Sequence, residues 1–170
     1  MFLIDYVEPE KAEGKIAETY GMFPKRIGVP ASLQVFSASP GLLERQSEII
    51  KYFFRHPNME FQVLAAIRFL GASHFKHEYC VGLNSRILKM AGVKEDELTQ
   101  LADNPACVFE EKEAALLTFV IKSLKDPSAI GVSEVQEARN AGWTDTDLFD
   151  AMAQAAQMSA AGIIYKTFLK

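Results

Sequence analysis

Residues 74–84 read HFKHEYCVGLN, bringing two histidines, a glutamate, a cysteine and an asparagine together in a chain with 3 His and 2 Cys in all. Three chemistries fit such a set. A histidine one helical turn from a cysteine lowers the thiol's pKa and makes thiolate available, which casts Cys80 as nucleophile or redox thiol and His77 as its activator. His74, His77 and Cys80, spaced i, i+3, i+6, are a metal-ligand set, although ligands so spaced drift around a helix and no second Cys/His pair completes a tetrahedron. The third reading is packing, with His77 and Asn84 satisfying each other or nearby backbone and Cys80 a small buried hydrophobe.

A helix turns about 100° per residue, so with His77 at zero, Cys80 falls near 300°, Asn84 near 340° and His74, if the helix reaches back that far, near 60°. Val81, Leu88 and Ala91 share that arc, while Glu78, Arg86 and Lys89 point elsewhere. The polar set lies on the stripe that should face the core, where polar groups find partners or cost stability. Elsewhere, His56 before Pro57 reads as a helix C-terminal residue favoured by the dipole. Cys107, in NPACV, is a packing residue or a resolving thiol. Trp143 reads as the anchor of a helix start. Tyr52, Phe53 and Phe54 read as core or subunit interface.

The elements that position these residues are helices. One is expected from Glu10 to Phe23 ahead of Pro24, a short one from Pro30 to Phe36, and one from Ser39 as N-cap to the stop at Pro57. Asn58 is a candidate cap for EFQVLAAIRFLGAS, which is apolar nearly all round and so expected to be buried. HEYCVGLNSRILKMAG should end at Gly92 as the C′ residue. VKEDELTQLADNP reads as a short helix, and EEKEAALLTFVIKSLKD has acids first and lysines last, as the helix dipole favours. Ser133 with Gln136 forms a capping-box pattern, and Thr144 with Asp147 heads the closing helix. Phe149, Met152, Ala156, Ser159 and Ile163 recur there at helical spacing, and Ala153, Ala156, Ala160, Ala161 and Gly162 would permit close helix–helix approach. The expected fold is all-α, one domain over 1–170, with eight or nine helices.

The 170 residues are 49% hydrophobic and 24% charged, the composition of a globular chain that buries a sizeable core. Eighteen Lys plus Arg against 22 Asp plus Glu give a net charge of −4, with the basic residues scattered. That argues against nucleic-acid and membrane-surface partners. MFLIDYVEPE is too short in apolar residues for a signal peptide, and no run reaches the roughly 18 that span a bilayer. Two cysteines cannot build a disulfide framework, so a reduced, cytoplasmic protein without cofactor is expected.

At HEYCVGLN the sequence resembles the alkylhydroperoxidase D-like, or carboxymuconolactone decarboxylase, family. DYVEPEKAEGKIAETY, GVPASLQVFSASPGLLE, EEKEAALLTFVIKSLKDP and WTDTDLFDAMAQAAQMSAAGIIYKTFL resemble further family segments in order, over most of the chain. The resemblance implies an all-helical fold assembling as dimer, trimer or hexamer, with the motif helix near a subunit contact. It also implies a site in which C-x-x-C is followed four residues on by His, with Glu on the preceding helix. Peroxide attack leaves a sulfenic acid that the second thiol resolves, while His and Glu move protons.

This chain departs from that pattern. His77 stands at the first Cys position, Cys80 at the second, Asn84 at the His position and Ala65 at the Glu position, with Glu60 five residues further back. The stretch is therefore a rebuilt site, H-x-x-C-x-x-x-N. The leading expectation is single-thiol peroxide or redox chemistry on a small-molecule substrate. Cys80 would be the nucleophile, His77 its activator and Asn84 a donor to a peroxide or substrate oxygen, with Cys107 or an external thiol as resolver. The alternatives are an inactive ligand-binding paralogue and a decarboxylase or isomerase-like enzyme with His77 as base.

Overall fold

Pro24, Pro30, Pro40 and Pro57 punctuate the first third of the chain: one helix starts just after Pro30 and one at Pro40, while helices end four residues before Pro24 and three before Pro57, since proline lacks the N–H a helix interior needs. A computed structural model describes all 170 residues, and their order is α1 (Gly14–Tyr20), α2 (Ala31–Gln34), α3 (Pro40–Phe54), α4 (Phe61–His74), α5 (Glu78–Met90), α6 (Glu95–Gln100), α7 (Glu111–Lys125), α8 (Val132–Asn140) and α9 (Asp145–Phe168). The fold is all-α: the one β contact is an isolated bridge between Phe2 and Leu169. No helix is long and apolar enough to cross a membrane.

Two compact units result, Met1–His56 with Ala161–Lys170, and Pro57–Ala160. In the first, Tyr20, Leu33 and Leu43 form the buried centre, with Ile16, Phe23 and Ile50 against them. The Tyr20 hydroxyl donates to the Val7 carbonyl at 2.9 Å, and Leu3 N–H to the Phe168 carbonyl at 2.8 Å. In the second, α4 is the central element. Val63, Leu64, Ala65, Ala66, Ile67, Leu70 and Ala72 are all buried on it, and it packs against α5 and α7. Gly71 lies against α9 so closely that a Cβ there would stand 2.5 Å from the Ala155 carbonyl oxygen. A small-residue approach was expected of α9, but Ala155, wholly buried, makes it, while Ala156 and Ala160 are exposed.

Several boundaries differ from the sequence reading, each for a local reason. The first helix is broken: a 3-10 turn covers Pro9–Lys11 and α1 starts afresh at Gly14, whose φ of +52° could not sit inside a right-handed helix. Asn58 does not cap α4, because its amide donates to both carboxylate oxygens of Asp147 at 3.1 Å, and Glu60 takes the N-cap position. Ser133 lies inside α8, whose capping carboxylate is Glu134, accepting from Gly131 N–H at 3.0 Å. The Thr144/Asp147 cap forms as read, with Thr144 N–H donating to Asp147 at 2.8 Å and Asp147 N–H to the Thr144 hydroxyl at 3.2 Å. Phe53 is core, whereas Tyr52 and Phe54 are exposed. The Phe149, Met152, Ala156 stripe faces outward, with Phe149 75% exposed.

Candidate thiol site

His77, Cys80 and Asn84 are all buried along the start of α5, and the turn between α4 and α5 sets where that helix begins. Helix α4 ends at His74 with Phe75 as C-cap, and Lys76 takes a left-handed φ of +53°. Lys76 N–H bonds the Ser73 carbonyl at 3.2 Å and His77 N–H the Ala72 carbonyl at 2.8 Å, the paired bonds of a Schellman turn. That turn carries His77 inward to 1% exposure as the N-cap of α5, with Cys80 one turn on at 4% and Asn84 at 2%. His74 is separated from them by the same turn: it is exposed at the end of α4, its ring edge-on to Phe75, and does not share the α5 face. No group of three His, Cys, Asp or Glu side chains is gathered to hold a metal ion.

Cys80 packs with Ala72 of α4 and Met158 of α9, with Tyr79 and Val81 at the edge. The His77 ring lies 6.4 Å from that of Tyr79. Cys107, half-buried in the turn Pro105–Cys107, points its thiol at the Glu97 carbonyl 3.6 Å away, and neither cysteine is in a disulfide.

The structure adds two residues that the sequence reading passed over. Arg68, half-buried on α4, donates from Nε to Asn84 Oδ1 at 3.0 Å and from Nη1 to Gln154 Oε1 of α9 at 3.2 Å. Its guanidinium also stands 5.7 Å above the ring of Phe61. Asn84 in turn donates its Nδ2 to the Cys80 carbonyl at 2.8 Å, and Gln154 donates to Gln157 at 3.0 Å. Burial brings the Arg68 pKa down to about 10, and the Cys80 side chain opposes that fall. Arg68 therefore stays charged at neutral pH, hydrogen-bonded to two neutral amides. A signal for it existed: it is the one Lys, Arg, Asp or Glu within α4, and arginine is rarely buried without a partner. Gln154 left no comparable mark in its alanine-rich surroundings.

No protein-family model matches the chain, and no curated protein does. Among solved structures it is similar to an uncharacterized peroxidase-related protein from Silicibacter sp. TM1040, with a TM-score of 0.75 and 13% sequence identity. The match covers 90% of this chain and 82% of that one. The two chains share one arrangement of helices. At this identity the likeness speaks for the arrangement of helices alone. Ala65, where the resemblance implies a glutamate, is fully buried on α4. The charge on α4 instead stands three residues on, at Arg68, and has the opposite sign.

Proposed function

We propose that the protein is a divergent alkylhydroperoxidase-like enzyme working through one thiol, Cys80. The observation that carries this reading is a buried cysteine on a peroxidase-related fold, one helical turn from His77 and from Asn84 and joined through Asn84 to Arg68. The thiolate of Cys80 attacks the distal oxygen of a small hydroperoxide. The S–O bond forms as the O–O bond breaks, sulfur loses two electrons to the peroxide, and the departing alkoxide takes a proton to leave as alcohol. His77 supplies that proton. The resulting sulfenic acid condenses with an external low-molecular-weight thiol, releasing water, and a second such thiol reduces the mixed disulfide. Asn84 has both amide ends engaged, by Arg68 and by the Cys80 carbonyl, so in this reading it shapes the site more than it binds peroxide.

The test is trapping of the sulfenic acid. Limiting hydroperoxide followed by dimedone should label Cys80 in a Cys107→Ser background, and Cys80→Ser should abolish the label. Absence of label in the folded protein would leave the packing reading. Turnover driven by a dithiol reductant should be poor, since His77 holds the place of the partner thiol that would resolve Cys80.

We further propose that the chain assembles with itself. In the Pro57–Ala160 unit, Phe149, Ala156 and Ala160 leave an apolar face of α9 open to solvent, and Tyr52 and Phe54 do the same on α3 of the other unit. Exposed apolar patches mark interfaces, and closed symmetric oligomers are the usual solution. Light scattering at micromolar concentration should give a multiple of 18.9 kDa, and a monomer would refute it.

A further inference from the structure

We infer that Arg68 is a positioning residue for the thiol: a guanidinium clamped between the side-chain oxygens of Asn84 and Gln154, acting as the fixed counter-cation of a Cys80 thiolate. The inference rests on the thiol reading above and assigns the charge that sustains it.

The clamp is directional. A guanidinium only donates, so both amides must turn their oxygens to it. Each amide is then held from behind, Asn84 by the Cys80 carbonyl at 2.8 Å and Gln154 by Gln157 at 3.0 Å. The Asn84 orientation follows from Arg68 and the Cys80 carbonyl, and that of Gln154 from Arg68, which can only donate. Arg68 is thereby tied through one side chain to the helical turn that carries the thiol. The planar fork of arginine meets two acceptors on two helices at once, which the point charge of a lysine does less well.

The charge balance leads to the same place. A cation withdrawn from water calls for an anion, and neutral amides supply none. Around the cluster stand Arg68 from α4, His77 and Tyr79 at the start of α5, and the neutral Met158 and Gln154 from α9. Arg68 reaches Asn84, whose amide is bonded to the Cys80 carbonyl, and the Cys80 side chain favours the charge of Arg68. Electrostatic interaction is mutual, so the cation that Cys80 favours favours the Cys80 anion in return.

The experiment is a pH titration of thiolate absorbance at 240 nm in the Cys107→Ser background. Cys80 should titrate below the ordinary thiol value of about 8.5. In Arg68→Met the midpoint should rise by a unit or more, which cuts the thiolate fraction, and with it the iodoacetamide rate at pH 7, about tenfold. Gln154→Glu is close in shape and sets a carboxylate on the guanidinium, so it should raise the midpoint too, and it decides the matter alone should Arg68→Met not fold. Arg68→Lys should restore part of the shift. An unchanged midpoint in Gln154→Glu overturns the inference. The two readings fail separately. Shifted midpoints with no sulfenic acid on peroxide treatment uphold the role of Arg68 and sink the peroxide chemistry. Sulfenic acid formed at the wild-type rate in Gln154→Glu does the reverse.

Discussion

Two buried polar clusters in the Pro57–Ala160 unit, one at the start of α9 and one between α4, α5 and α9, solve the same problem in opposite ways. At the helix start, Asp147 is 1% exposed and carries a negative charge where the helix dipole favours one. It accepts from Thr144 N–H, the Thr144 hydroxyl and the Asn58 amide at 2.7–3.1 Å. Every element of that arrangement serves the fold. At the second cluster a cation is held by two neutral amide oxygens, and no local structural need accounts for its charge. A methionine would fill much of the same space. The difference teaches where to look for function: a buried charge that the backbone requires is architecture, and one that the backbone does not require is retained for something else.

The comparison can be broken first at its structural side. Asp147→Ala removes the carboxylate and strands the donors of Asn58 and Thr144, and should lower unfolding stability by about 3 kcal/mol in urea titration. Thiolate absorbance should stay unchanged while the protein is folded. A loss under about 1 kcal/mol would mean that the cap is not architecture after all. Next in size is Gly71→Ala, which forces a methyl against the Ala155 carbonyl at the contact that sets α4 beside α9. Overpacking of this kind costs about 2 kcal/mol. Because Arg68 and Gln154 lie on those same two helices, the thiol midpoint should rise along with the loss of stability.

Arg68→Met should have a smaller effect on stability, within about 1 kcal/mol, because removing the cation relieves its desolvation but orphans two amide oxygens. The sign with pH is definite. The folded pKa of Arg68 lies below its ordinary value, at about 10, so the folded state resists the proton. The resulting penalty is fully present at neutral pH and fades only as pH rises through about 10 toward the unfolded value. Wild type therefore gains on the variant above that pH, as paired urea titrations at pH 7 and 10.5 would show. A loss of several kcal/mol at pH 7 would place Arg68 with Asp147 as a structural charge.

What the sequence made legible follows the same division. Helix existence and order came from periodicity, proline and glycine, since those signals act within a few residues. Thr144 with Asp147 was readable because a cap is local, three residues across. That His77, Cys80 and Asn84 would lie on one buried stretch was readable for the same reason. Arg68 was not, because its partners lie 16 and 86 residues away and only tertiary packing joins them. Treating α4 as a uniformly apolar helix passed over the one charge on it. His74 belonged to the site only if the helix reached back to it, and Lys76 turns the chain between them. The outward stripe at Phe149 shows that helical spacing identifies an apolar face without saying what covers it.

Lys76 gives the smallest and sharpest test. Its φ of +53° is a left-handed conformation in which a side chain other than glycine or asparagine is strained, by about 1 kcal/mol. Glycine there relieves the strain but adds freedom to the unfolded chain, so Lys76→Gly should stabilise by only about 0.5 kcal/mol. Lys76→Val, β-branched at positive φ, should destabilise by more than that gain. The turn also seats buried His77 one helical turn before Cys80, through the bond from His77 N–H to the Ala72 carbonyl. In the glycine variant the turn keeps its shape, so the Cys80 midpoint should stay at the wild-type value while stability rises. In the valine variant the distorted turn should move His77 and slow sulfenic acid formation without the large midpoint shift expected of Arg68→Met. If valine moves the midpoint as far as Arg68→Met does, the thiolate depends on His77 as much as on the guanidinium, and the contrast between a structural turn and a functional charge gives way at this point.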